Sequence, residues 1–264
     1  MPKSTDITVS SSNIEENQSI QLNTRPPMPT IPILPSQLAV TTIFNSIESL
    51  GFANIAGKVF SGEQAEARKD ANLDVSTKNV YSEGLKNLEQ KDLHAAIKNF
   101  TATININPQF APAYNDRGVA RYKLGEKQSA IEDLTTAIEL NPYRAKYYSN
   151  RAFMLAGLKD YTGAIADYNS ALLLNPNLAQ AYFNRGTIRL QMENSLAALA
   201  DFESAIRLDR NFAKAYYNRG VTRSKLRELQ GAFEDFQKAA GLFKQQARMD
   251  CYQDAVSKLR QLCY

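Results

Sequence analysis

The chain has 264 residues, 44% of them hydrophobic and 22% charged, with a net charge of +4 and a mean hydropathy of −0.39. That is the composition of an ordinary water-soluble protein, and it excludes a low-complexity or collagen-like chain. The apolar run of about 18 residues that a membrane-crossing helix needs is absent from the sequence. Charge is uneven: residues 1–76 hold 5 basic and 8 acidic residues, whereas the remaining 188 hold 26 and 19. The surplus cations are spread through the chain rather than gathered in a stripe, so they point to solvated helix faces or an acidic protein partner and away from nucleic acid.

At the amino terminus, MPKSTDITVSSSNIEENQ has no apolar core after Lys3, which argues against a secretory signal. The acids Asp6, Glu15 and Glu16 argue equally against an organellar transit peptide. Residues 1–24 are polar and aperiodic, and are expected to be disordered. Residues 25–35, RPPMPTIPILP, carry five of the ten prolines. Proline fixes φ and removes a donor, so this is an extended linker, made sticky by Ile31, Ile33 and Leu34. It reads either as a strap along the neighbouring helices or as a docking motif for another protein. From Ser36, apolar residues at Val40, Ile43, Phe44 and Ile47 fall at helical spacing, and the stripe continues to Leu50, Ile55 and Val59. Residues 36–76 are therefore expected to be helical, packing on the first helices beyond residue 76 or on a partner.

Beyond that point the chain repeats. Residues 111–142, APAYNDRGVARYKLGEKQSAIEDLTTAIELNP, recur at steps of 34 residues, giving five copies at 77–110, 111–144, 145–178, 179–212 and 213–246. A fixed period of this length means stacked supersecondary units rather than one globular core. Copies two to five have a tyrosine early in the first helix (Tyr114, Tyr148, Tyr182, Tyr216), with Val80 in the first copy, and every copy has a small residue four positions on (Gly84, Gly118, Ala152, Gly186, Gly220). The second helix carries a small residue (Ala96, Ala130, Ala164, Ala198, Ala232) and a bulky one four further on (Phe100, Leu134, Tyr168, Phe202, Phe236). Copies one to three close on Pro108, Pro142 and Pro176, and copies four and five on Arg210 and Lys244. This pattern resembles the tetratricopeptide repeat (TPR) family, in a style similar to TPR proteins of photosynthetic bacteria. The resemblance implies an all-α, right-handed TPR solenoid of five helix-turn-helix repeats, with residues 247–264 as a C-terminal capping helix.

Two polar columns run with the period. Arg117, Arg151, Arg185 and Arg219 on the first helices are each followed 16 residues later by Asp133, Asp167, Asp201 and Asp235 on the second. Opposite charges in step predict an Arg–Asp ladder inside each repeat, because the guanidinium fork matches a carboxylate. One residue before each arginine stands Asp116, Asn150, Asn184 or Asn218. In the TPR family this position faces the concave groove, and asparagine there resembles the ladder by which the O-linked N-acetylglucosamine transferase superhelix grips a peptide backbone. An amide supplies both donor and acceptor, so it matches a peptide unit without reading its side chain. The resemblance places Asn115, Phe183, Tyr217 and Phe153 beside that column. The segment YSNRA at 148–152 resembles the asparagine part of the carboxylate clamp of chaperone-binding TPR domains. However, Asn115, Val119, Gln180 and Asn184 stand where the clamp has lysine, asparagine, lysine and arginine, and Lys214 matches only one repeat too late. These departures argue against a chaperone-tail clamp.

No nucleotide-binding glycine loop, nucleophile elbow or metal-spaced His/Cys cluster occurs, and His94 is the single histidine, so no catalytic residue, cofactor or metal is expected. Cys251 and Cys263 lie on one expected helix about 18 Å apart at ~1.5 Å per residue, too far for a disulfide. The expected compartment is reducing and cytoplasmic. The function expected is a non-catalytic scaffold or assembly factor that binds a protein or peptide in the TPR groove. The alternative is a subunit docked through residues 26–60, with Ile31, Ile33, Leu34, Ile43, Phe44 and Ile47 as its contacts, on a larger complex that includes a peripheral membrane one.

Overall fold

The computed structural model describes residues 74–262. Within them the chain forms eleven α-helices and no strand: α1 Val75–Glu89, α2 Leu93–Ile106, α3 Ala111–Leu124, α4 Lys127–Leu140, α5 Ala145–Gly157, α6 Tyr161–Leu174, α7 Ala179–Gln191, α8 Ser195–Leu208, α9 Ala213–Lys225, α10 Leu229–Gln245 and α11 Met249–Leu262. Each odd-numbered helix from α1 to α9 packs antiparallel on the next, each pair stacks on the following pair, and α11 closes the array against α10. Five helix-turn-helix units and a capping helix are the architecture that the resemblance implies.

The turns explain where the helices stop. Within each pair the chain reverses through one residue in the left-handed region: Lys91, Gly125, Lys159, Glu193 and Arg227. Asp92, Asp160 and Asn194 then cap α2, α6 and α8 by accepting from the backbone amide three residues on. Between pairs, Asn107, Asn141, Asn175 and Asp209 are extended, and the side-chain oxygen of each accepts from the backbone N–H two residues later at 2.8–3.1 Å. The sequence suggested proline as the stop. Asp209 holds the same geometry with Arg210 after it, so the Asx turn is the shared device and proline reinforces it. In the fifth pair both signals are gone, and α10 runs on to Gln245.

The core is built where the small and bulky columns cross. Ala96, Ala130, Ala164, Ala198 and Ala232 are wholly buried, as are Phe100, Leu134, Tyr168 and Phe202, with Phe236 at 1% exposure. Burying each large side chain contributes about 1.5–3 kcal/mol. Closeness is enforced at Gly84, where a Cβ would sit 2.7 Å from the Phe100 ring.

The Arg–Asp ladder forms as expected. Arg117, Arg151, Arg185 and Arg219 each grip the aspartate of the same repeat bidentately through Nε and Nη2 at 2.6–3.1 Å. The third nitrogen of the first three donates backwards, to Thr101, Thr135 and Asn169 on the second helix of the preceding repeat. One guanidinium thereby ties three helices. A second arginine, absent from the sequence reading, joins in three repeats: Arg121, Arg189 and Arg223 each donate to the same aspartates at 2.8–2.9 Å. Repeat three has Leu155 at that position, and Asp167 pairs with Arg151.

Candidate functional site

Successive first helices α1, α3, α5, α7 and α9 touch one another, so their amide and aromatic columns share one face. On that face the amides are engaged with each other. Asn150 Nδ2 donates to Asn115 Oδ1 at 2.8 Å, Asn115 Nδ2 donates to Asp116 Oδ1 at 2.6 Å, and the Tyr81 hydroxyl donates to Asp116 Oδ2 at 2.5 Å. Three repeats are linked by that chain of bonds. Asn115 and Asp116 are 1% and 6% exposed, so they form a floor beneath the face rather than edges open on it. Lys146 stands 3.6 Å from Asp116. A cavity of about 440 Å³ opens above them, lined by Tyr81, Phe110, Asp116, Lys146 and Tyr147 among others.

Farther along, Asn184 Nδ2 donates to the Tyr168 hydroxyl at 3.0 Å, while its Oδ1 accepts from Gln180 at 2.8 Å. Asn218 Nδ2 reaches Thr187 Oγ1 at 3.3 Å. Burial pushes the Tyr168 hydroxyl up to about 12, so it stays protonated at neutral pH. Phe183 packs against Phe202 and Phe212, leaving part of its ring on the face. Phe153 is 53% exposed and touches Tyr122 edge-on at 5.8 Å. Tyr217 does not present its hydroxyl freely: it donates to Asp254 of the capping helix at 2.6 Å, and burial, reinforced by that carboxylate, raises its pKa. Lys214 is exposed near the start of α9.

A smaller cavity of about 240 Å³ brings together Phe153, Phe183 and Asn184 with Tyr122, Gly157, Tyr168, Thr187 and Gln191. The sequence reading named the first three. It missed Tyr122 and Gly157, although the 34-residue register carries a signal: Gly157 stands where the other repeats have Glu89, Lys123, Gln191 and Lys225. The six candidate docking residues from Ile31 to Ile47 lie outside the described residues.

Family models match where the ladder is most regular: one described as "Tetratricopeptide repeat" at residues 111–143, another so described at 183–247, and "TPR repeat" at 154–192. The chain is a tetratricopeptide repeat protein. Solved structures share the fold. MamA (41-end) from Desulfovibrio magneticus RS-1 superposes with a TM-score of 0.60 at 18% identity, over 66% of this chain and 98% of that one. PilF of Pseudomonas aeruginosa gives 0.59 at 21%, over 70% and 91%. YrrB, described as a TPR protein with an unusual peptide-binding site, gives 0.56 at 20%, over 67% and 90%. No curated protein matches the sequence. Among the described residues of this TPR protein, no helix is long and apolar enough to cross a membrane, and no group of His, Cys, Asp and Glu could hold a metal ion. His94 is exposed on α2.

Proposed function

We propose that this TPR protein is a non-catalytic scaffold or assembly factor that holds a segment of a partner protein along the face of its first helices. The repeats and their structural neighbours support the broader role, a protein-interaction scaffold. The observation that supports the peptide reading is the pairing of half-open amides, Asn150, Asn184 and Asn218, with exposed Phe153 on one face. The peptide-binding site described for YrrB, on a similar array, points the same way. Each amide keeps donor or acceptor capacity beyond its internal bond, enough to pair with a peptide backbone.

The test is selection of a random displayed-peptide library on the full chain, followed by anisotropy with the recovered peptides. Replacing Asn150, Asn184 and Asn218 together with alanine is expected to weaken those peptides ten-fold or more. The same variant is expected to unfold at a lower temperature, because Asn150, Asn184 and Asn218 each bond to a neighbouring repeat. Binding is therefore compared at a temperature where circular dichroism shows the variant folded. Recovered peptides that bind wild type and variant equally would refute the groove. The alternative, docking through residues 26–60, rests on the proline-rich and apolar sequence there; a partner retained after deletion of residues 1–60 would remove it.

A further inference from the structure

The repeat supplies its own internal comparison, and repeat three departs from it around one cavity. At the 34-residue register of Phe153 the other copies have Leu85, Val119, Thr187 and Val221; none is aromatic. At the register of Gly157 they have a long polar side chain. At the register of Tyr168 they have Phe100, Leu134, Phe202 and Phe236, none with a hydroxyl. All three departures border the 240 Å³ cavity. The missing side chain at Gly157 is what admits Tyr122: a Cβ there would lie 2.1 Å from the tyrosine hydroxyl oxygen.

None of the residues lining this cavity is charged, whereas the cavity over Asp116 is edged by Lys146 and Arg144. A charged group entering it would lose water with no counter-ion to replace it, so the electrostatics select an uncharged occupant. The volume lies below the range of about 300–1,000 Å³ typical for a whole small ligand. It suits one side chain. Asn184 uses one N–H toward Tyr168 and one lone pair toward Gln180, leaving one of each for a backbone amide at the rim.

Resting on the groove reading above, we infer that this cavity is the specificity pocket of the groove. It takes a phenylalanine or leucine side chain from an uncharged, extended segment of the partner, with Phe153 and Phe183 as its apolar walls and Asn184 pairing with the adjacent peptide unit.

The experiment is a ¹⁵N-resolved titration of the full chain with N-acetyl-phenylalaninamide, alongside N-acetyl-lysinamide and N-acetyl-glutamic acid amide. The backbone amides of Gly157 and Thr187 and the side-chain amide of Asn184 are expected to shift saturably with the phenylalanine probe alone. Gly157→Gln, which gives repeat three the side chain of repeat four, is expected to weaken that response at least ten-fold. Phe153→Ser should do the same without any change at Gly157. Leu196→Ser, at a 71% exposed position outside the cavity lining, should leave it intact. Equal response to the charged probes, no response, or a full response in both pocket variants would overturn the assignment. Library peptides that lose affinity in the triple asparagine variant but not in Gly157→Gln would refute the pocket and leave the groove standing. Recovered peptides indifferent to both sets of variants would refute both.

Discussion

Repeats three and four are built on one template and differ in where they vary. Their crossings agree: Ala164 and Ala198 are equally buried, and Arg151 and Arg185 grip Asp167 and Asp201 with the same bidentate geometry. Their differences lie to one side. Repeat four has Thr187, Arg189, Gln191 and Phe202 where repeat three has Phe153, Leu155, Gly157 and Tyr168. Repeat four therefore adds Arg189 to its internal ion pair, whereas repeat three leaves that arginine out and opens a neutral pocket that Thr187 and Gln191 of repeat four help to line. The stack is held by what is common to the repeats; any selectivity must come from what is not.

The comparison breaks most visibly at the aspartates. Asp201→Ala strands Arg185 and Arg189 together, each 23% exposed or less, with only the bond from Arg185 to Asn169 left between them, and the loss of such a buried partner costs about 3–5 kcal/mol. Asp167→Ala strands Arg151, whose remaining bond to Thr135 persists, and a cost nearer ~2 kcal/mol is expected for a singly paired, slightly more exposed site. Hydrogen exchange read repeat by repeat checks this, since a solenoid opens locally. Protection should fall further around α7 and α8 in the first variant than around α5 and α6 in the second. Equal losses would mean that the second arginine contributes nothing.

The next difference is a single oxygen. In repeat three the buried position is a tyrosine whose folded pKa is about 12, raised by burial from an ordinary value near 10. A raised folded pKa means that the stability is fully present below pH 10 and is lost as pH rises toward 12, because the unfolded chain ionises first. Two pH units correspond to about 2–3 kcal/mol lost across that window. Tyr168→Phe makes repeat three resemble repeat four and should flatten the alkaline limb of stability by that amount, measured as the difference in urea midpoint between wild type and variant from pH 9 to pH 12. Parallel curves would show that the hydroxyl ionises as freely in the folded protein as in water.

Much of this was legible because a repeat aligns with itself. The helix pairs, the small and bulky columns, and the arginine–aspartate spacing all recur, and recurrence at complementary positions marks contacts that every repeat needs. What did not recur was harder to read. Arg121, Arg189 and Arg223 recur in three copies only, with Asn87 and Leu155 at that position in the other two, and nothing in the sequence says that Tyr122 from the preceding repeat lies against Gly157. The resemblance places Asn115 beside the groove column, yet the chain of bonds from Asn150 through Asn115 to Asp116 draws it under the face. Proline reads as the helix stop because it pushes the residue before it out of the α region, although the Asx turn before it persists at Asp209 when proline is gone.

The smallest expected effect concerns the reversal inside each pair. Repeat two turns through Gly125 at φ 91°, while repeats three and four turn through Lys159 at φ 66° and Glu193 at φ 62°. A side chain in this region costs about 1–2 kcal/mol through the clash of Cβ with the following carbonyl, and glycine escapes it at the expense of greater freedom in the unfolded chain. The two terms oppose, so Lys159→Gly and Glu193→Gly should each stabilise by only about 0.5–1 kcal/mol. Gly125→Ala should destabilise by a similar amount, with nothing within 4 Å of the added Cβ to confuse the result. The three variants, compared by urea midpoint, isolate backbone strain from packing. If Lys159→Gly destabilises instead, the lysine stem must contribute packing at the turn that outweighs the strain, and the turn of repeat three is then as specialised as its pocket.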